Sequence, residues 1–274
     1  MAALWQSLPL LIDPVVVRIG GLPVTWYAVM YIAGVLFSAL YFVKLARRRG
    51  LLVDADATVE VIVSVLWGVL IGARLGYVAF YGGSDFIQEP WRIILPYDFG
   101  QDAWVGIRGM SFHGGLIGGA IGLFMFTREA RREFLRFSDV LVQAVPIAIF
   151  FGRIGNFLNQ EILGRPSALP WGMHFPGSGS LLLHPVTLYE AAFEGVLLFL
   201  LLAVLSRQAS RPGRITALFL FLYAGIRYGA EYYRALPLEG NLVFGVLTTG
   251  QALSVAMALL GSIVLLATRK RVVY

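Results

Sequence analysis

Seven apolar runs, each close to the length that crosses a lipid bilayer, divide this chain. They cover approximately residues 23–45, 57–81, 111–127, 138–158, 186–205, 215–233 and 245–267. A helix needs about 20 apolar residues to span the hydrocarbon core. It can do so because every backbone N–H and C=O inside it is satisfied within the segment. The expected fold class is therefore an all-α membrane protein: one polytopic domain over 1–274, a bundle of about seven transmembrane helices with arm and head loops on its outer side. Composition agrees. Hydrophobic residues make up 58% of the chain and charged residues 14%, whereas soluble domains are about 45–50% apolar. Mean hydropathy is +0.75.

Basic residues set the expected orientation. Lys44, Arg47, Arg48 and Arg49 follow the first run, and Arg128, Arg131, Arg132 and Arg136 lie between the third and fourth. Arg207, Arg211 and Arg214 lie between the fifth and sixth, and Arg269, Lys270 and Arg271 end the chain. The opposite side carries only Arg18, Arg92, Arg108, Arg165 and Arg234. Cytoplasmic loops are the basic ones, which puts the C-terminus in the cytoplasm and the N-terminus outside. The net charge of +6 then serves to anchor the cytosolic face on anionic headgroups, and nucleic acid is not an expected partner. Loops 82–110 and 160–185 fall on the outer side. Their Trp91, Tyr97, Trp104, Trp171 and Phe175 suit an interfacial aromatic belt. They are read either as a head over the site or as plain connections. The first twenty residues lack a basic leader pattern and are broken by Pro9, Asp13, Pro14 and Arg18, so they read as an amphipathic lead-in on the membrane surface.

Polar groups inside apolar runs are costly and point to a functional cavity. Arg153 and Asn156 share a helix face, with Asn159 and Glu161 just beyond, and Arg153 has no acid nearby in sequence except Glu161. Tyr223, Arg227 and Glu231 are spaced by four, and Arg234 follows three later. Arg227 and Glu231 could simply neutralise each other. Two guanidiniums from separate helices also make a fork for phosphate, so a cation-rich site suggests an anionic ligand. His113 stands before Gly114 and Gly115 where an outer loop meets a span. Imidazole exchanges protons near neutral pH, while the glycines (with Gly118, Gly119 and Gly122) by themselves read as close helix packing. Arg74, Tyr27, Tyr189, Glu190 and Glu194 are weaker signals. The chain has no cysteine, which excludes disulfides and a thiolate nucleophile. No metal-ligand spacing or phosphate loop occurs, so neither metal nor cofactor is expected.

The run Gly152-Arg153-Ile154-Gly155-Asn156-Phe157-Leu158-Asn159-Gln160-Glu161, followed by Gly164-Arg165, carries a resemblance. So do His113-Gly114-Gly115-Leu116-Ile117-Gly118, Trp26-Tyr27, His184-Pro185 with Leu188-Tyr189-Glu190, and Arg227 with Glu231 and Arg234. Together they resemble the prolipoprotein diacylglyceryl transferases, bacterial enzymes of the cytoplasmic (inner) membrane, along nearly the whole chain. The resemblance implies multi-pass insertion among membrane lipids and two substrates: phosphatidylglycerol and a preprolipoprotein whose signal peptide bears a lipobox cysteine. It implies His113, Arg153, Arg227 and Glu231 as catalytic residues. Arg153, Asn156, Arg227, Tyr27 and Glu161 would bind phosphatidylglycerol. Asn159, Gly114, Gly115, Tyr223, Arg234, Tyr189 and Glu190 would support them. An anion transporter and a non-catalytic scaffold are the competing readings of the same intramembrane charges.

Overall fold

The computed structural model describes residues 2–20, 22–51, 54–81, 86, 89–95, 97–98, 103–104, 109–128, 131–207, 211–235, 243 and 246–269. Most of the expected outer loop 82–110 lies outside the described residues. So do Arg108, Lys270, Arg271, the start of the last expected span at 245, and the side chains of Tyr97, Trp104, Arg131 and Arg132.

Each of the seven apolar runs forms a helix. After a short helix α1 (Ala2–Ser7) come α2 (Trp26–Arg48), α3 (Ala55–Tyr81), α4 (Phe112–Phe126), α5 (Arg131–Leu158), α6 (Val186–Leu205), α7 (Arg214–Ala230) and α8 (Thr249–Arg269). Five of them, α2, α3, α5, α6 and α8, are long and apolar enough to cross a membrane, and the protein is a multi-pass membrane protein. At 1.5 Å per residue the 15-residue α4 reaches about 22 Å. The 17-residue α7 is extended by a 3-10 turn at Glu231–Tyr233.

The start of the chain is more ordered than the sequence suggested. A 3-10 turn at Leu8–Leu11 follows α1, and then β1 (Val15–Ile19) pairs antiparallel with β2 (Leu22–Thr25). Gly20 turns between them with φ +57, a backbone state that glycine adopts without a Cβ penalty. The first expected span, from 23, therefore becomes helical only at Trp26, because 22–25 pair as a strand. A second small hairpin joins β3 (Tyr97–Asp98) and β4 (Ala103–Trp104).

The chain divides into two compact units. One comprises Ala46–Ser138 and the other Met1–Leu45 with Asp139–Tyr274. In the first, α3 and α4 pack backbone to backbone. A Cβ on Gly118 would lie 2.0 Å from the Gly68 carbonyl oxygen, and one on Gly114 would lie 2.3 Å from that of Gly72. Lipid offers helices no hydrophobic drive to associate, so small residues that permit such approach supply the adhesion through packing. Gly118→Ala should lower the thermal midpoint, consistent with a loss of about 1–3 kcal/mol. Gly225→Ala, with open space around it, should hold or raise the midpoint in the same thermal scan, since alanine favours helix over glycine.

In the larger unit, Asp139 starts α7. Its Oδ2 accepts from Gly213 N–H at 2.7 Å, and its Oδ1 accepts from the Thr216 N–H and hydroxyl, both at 2.8 Å. The Asp139 carboxylate thus takes the orphan donors of a helix N-terminus. Asp139→Ala should cost about 1–2 kcal/mol, seen as a lower unfolding midpoint. Leu198, Leu202, Ile215, Phe219 and Tyr223 are fully buried in this unit.

Candidate active site

The functional groups of the larger unit gather at the end where α5 and α7 finish and α6 and α8 begin. Glu190 is the centre. Its side chain is wholly buried, and three guanidiniums reach it. Arg153 Nη1 lies 3.1 Å from Oε2, Arg227 Nη1 3.1 Å from Oε1, and Arg234 Nε 2.8 Å from Oε1. Arg153 also grips Glu194, donating Nε at 3.1 Å and Nη2 at 2.9 Å to Oε2. Arg227 Nη2 meets Glu231 Oε2 at 2.6 Å.

These distances change one expectation. Arg153 has two acids, Glu190 and Glu194, and both come from α6 rather than from its own helix. Three arginines thus face three carboxylates, and the site is a balanced ionic cluster rather than a bare pair of cations. The physical reason is cost: a guanidinium buried without a counter-charge is far less stable than a paired one. A π-helical stretch at Ala191–Leu197 interrupts α6, and Glu190 and Glu194 sit at its start and within it. Such widened turns are common at functional positions. Arg153 and Arg227 converge through Glu190, and Tyr223, fully buried, lies within electrostatic reach of both.

Glu161, the acid expected near Arg153, is engaged elsewhere. It accepts from Asn156 Nδ2 at 3.0 Å and from Asn159 Nδ2 at 3.1 Å. Asn159 in turn accepts from Tyr27 N–H at 3.0 Å, which ties the start of α2 to the end of α5. Gln160 (φ 61) and Ile162 (φ 57) hold left-handed backbone here, a strained state for side chains with a Cβ. Gln160 is fixed by donating to the carbonyls of Pro9 and Ile12, both at 2.7 Å. Segment 160–185 packs against this end. Phe157, Met173, Phe175 and Leu183 form its buried core, with Leu8 and Ile12 packed against it. Arg165 donates Nε to the Arg234 carbonyl at 3.0 Å. Tyr189 accepts from Trp171 Nε1 at 2.8 Å and lies 3.2 Å from His184 Nδ1.

His113, Gly114 and Gly115 belong to the other unit. His113 is buried in the first turn of α4, just after Ser111, which caps the helix by accepting from Gly114 N–H at 3.2 Å. Gly114 serves the contact with α3, while a Cβ on Gly115 would make only ordinary contact with Ala73 at 3.4 Å. Arg74 is a loop anchor of the same unit. It donates Nε to the Ile93 carbonyl at 2.8 Å and Nη1 to the Gly109 carbonyl at 3.1 Å, and Nη2 bonds the Arg92 carbonyl.

Against known proteins, the profile of the family described as prolipoprotein diacylglyceryl transferase matches residues 14–267. The chain belongs to this family. Its relatives include proteins of Chlorobaculum tepidum (39% identical over 272 residues, 97% of this chain and 93% of the relative) and Geobacter sulfurreducens (38% over 264 residues, 95% and 97%). One from Rhodospirillum rubrum is 41% identical over 265 residues, covering 94% and 93%. All three are named phosphatidylglycerol–prolipoprotein diacylglyceryl transferase.

As a diacylglyceryl transferase, this chain is an enzyme, and two of its polar contacts were not anticipated from sequence. Glu194 as the partner of Arg153 was visible only as a carboxylate four residues after Glu190. Asp139 as the cap of α7 gave no local signal, because its donors are more than seventy residues away. The α3 half of the glycine contact was legible in the spacing Gly68, Gly72, Gly76.

Proposed function

We propose that this transferase moves the diacylglyceryl group of phosphatidylglycerol onto the thiol of a lipobox cysteine in a preprolipoprotein. A carbon–sulfur bond forms at the glyceryl carbon, and the bond from that carbon to the phosphate oxygen breaks. Glycerol phosphate leaves with the electron pair, and the thiol proton passes to a base. The singly charged diester thus becomes a monoester that gains negative charge as the bond breaks. Fixed donors aimed at such developing charge are the most effective catalytic device in a dry site.

The observation that carries this reading is the convergence of Arg153, Arg227 and Arg234 on Glu190. Each guanidinium has five N–H donors, and the carboxylates hold Arg227 through Nη1 and Nη2 alone. The N–H groups left over take the phosphate, with Asn156, Glu161 and Tyr27 placing the lipid. The three carboxylates keep the guanidiniums in position and stop the cluster from holding the more highly charged product too tightly. Arginine cannot accept the thiol proton, because its guanidinium stays protonated in proteins. Of the residues that the resemblance implies, His113 carries the side chain chemically suited to that role, since imidazole exchanges protons near neutral pH. Asn159, Tyr189, Glu190, Tyr223 and Arg234 support these groups.

The enzyme works in the bacterial cytoplasmic membrane, with its N-terminus outside and its C-terminus inside. Pure protein incubated with phosphatidylglycerol and a lipobox peptide should add a diacylglyceryl mass to the peptide and release glycerol phosphate. No added mass, under conditions where an established member of the family works, would overturn the proposal.

A further inference from the structure

The first turn of α8 holds Glu231. Thr248 stands just before the helix and shares a reciprocal cap with Gln251: Gln251 N–H donates to Thr248 Oγ1 at 3.2 Å, and Thr248 N–H donates to Gln251 Oε1 at 3.1 Å. This is the Thr-x-x-Gln capping box. The Thr248 hydroxyl spends its own proton on Glu231 Oε1, at 3.0 Å. Gly250, one residue into the helix, lies directly beneath the same carboxylate. A Cβ there would stand 2.7 Å from Oε1, 2.8 Å from Cδ and 2.9 Å from Oε2, well inside van der Waals contact. The Glu231 carboxylate therefore rests on the end of α8 where unpaired N–H groups and the helix dipole favour an anion. Its other oxygen lies 2.6 Å from Arg227 Nη2.

We infer that Thr248 and Gly250 are positioning residues of the transfer reaction: they fix Glu231 on the N-terminus of α8 so that it aims Arg227 at the phosphate. The inference rests on the reading that Arg227 and Glu231 serve the transfer. Two helices and one glycine meet here, and each has one task. The end of α7 supplies the pair, α8 supplies the seat, and the missing side chain of Gly250 sets how closely the carboxylate sits. A residue that acts through a partner's placement can cost much activity for a displacement of about 1 Å.

A plain capping role for Thr248 predicts something different, and one substitution separates the two. Thr248→Asp keeps an oxygen for Gln251 N–H, since aspartate is as good a cap as threonine. It also sets a second carboxylate against Glu231, and like charges at that range repel. Gly250→Ala improves the intrinsic helix propensity of α8 but displaces the Glu231 carboxylate. Thr248→Ser keeps both bonds.

The test measures kcat, KM and the thermal midpoint of the full-length protein in detergent with phosphatidylglycerol and a lipobox peptide. Thr248→Asp and Gly250→Ala should lower kcat roughly tenfold or more with midpoints close to wild type, while Thr248→Ser stays near wild type in both. If both variants turn over at the wild-type rate while Glu231→Gln is impaired, the positioning role fails and the transferase reading stands. If Glu231→Gln itself works at the wild-type rate, the reading of Glu231 fails, and the positioning role with it. Activity that falls only together with the thermal midpoint, in both variants, would make Thr248 and Gly250 purely structural and also overturn the inference.

Discussion

Replacing Glu190 with glutamine should destabilise the protein by about 3–5 kcal/mol. Its two oxygens receive Arg153, Arg227 and Arg234 at 2.8 to 3.1 Å, and its side chain is fully buried. Removing one partner of a buried ion pair leaves the other charge uncompensated in a medium that solvates it poorly, and this loss exceeds what the pair contributed in the first place. Glutamine preserves the shape but removes the charge that three cations share. The check is thermal unfolding in detergent, followed by intrinsic fluorescence. Arg234→Gln should cost less, because its side chain is 21% exposed and water screens what the protein no longer does. A Glu190→Gln midpoint equal to that of wild type would mean that the cluster does not hold the ends of α5, α6 and α7 together.

The second large effect falls on turnover. Arg227→Lys should lower kcat about a hundredfold while the protein still inserts and unfolds cooperatively. Arg227 bridges Glu190 and Glu231 with two different nitrogens, at 3.1 and 2.6 Å. One ammonium on a flexible stem cannot span both carboxylates and still present donors to a phosphate. Arg153→Ala should have at least the same effect, since it also strands Glu194, whose side chain is fully buried. Initial rates with phosphatidylglycerol and lipobox peptide decide this. Wild-type turnover in folded Arg227→Lys would count against recognition by a planar fork.

The parts of this molecule that were legible in the sequence are those with local causes. Apolar length placed α3, α4 and α6 within a few residues of their observed bounds, because in lipid a segment either satisfies its backbone internally or does not span. Spacing by three and four put Arg153 with Asn156, and Arg227 with Glu231, on shared faces. The partners that needed tertiary structure were hidden. Arg153 looked unpaired because its acids come from α6, more than thirty residues away. Glu161, the one acid near Arg153 in sequence, is held by the two asparagines instead. The strand pair at 15–25 was hidden for another reason: its short, half-polar segments adjoin an apolar run, and their pairing depends on a single turn at Gly20. The Arg227–Glu231 pair was readable from its spacing, while Glu190 and Glu194 as partners of Arg153 were not.

On the proposed mechanism the guanidiniums of Arg153 and Arg227 hold the lipid phosphate. Cryo-electron microscopy of the protein in nanodiscs with phosphatidylglycerol, and with no peptide to accept the lipid, tests it most directly. Phosphate oxygens should lie within about 3 Å of a nitrogen of each arginine. A phosphate bound elsewhere, with both arginines still engaged only by Glu190, Glu194 and Glu231, would contradict it.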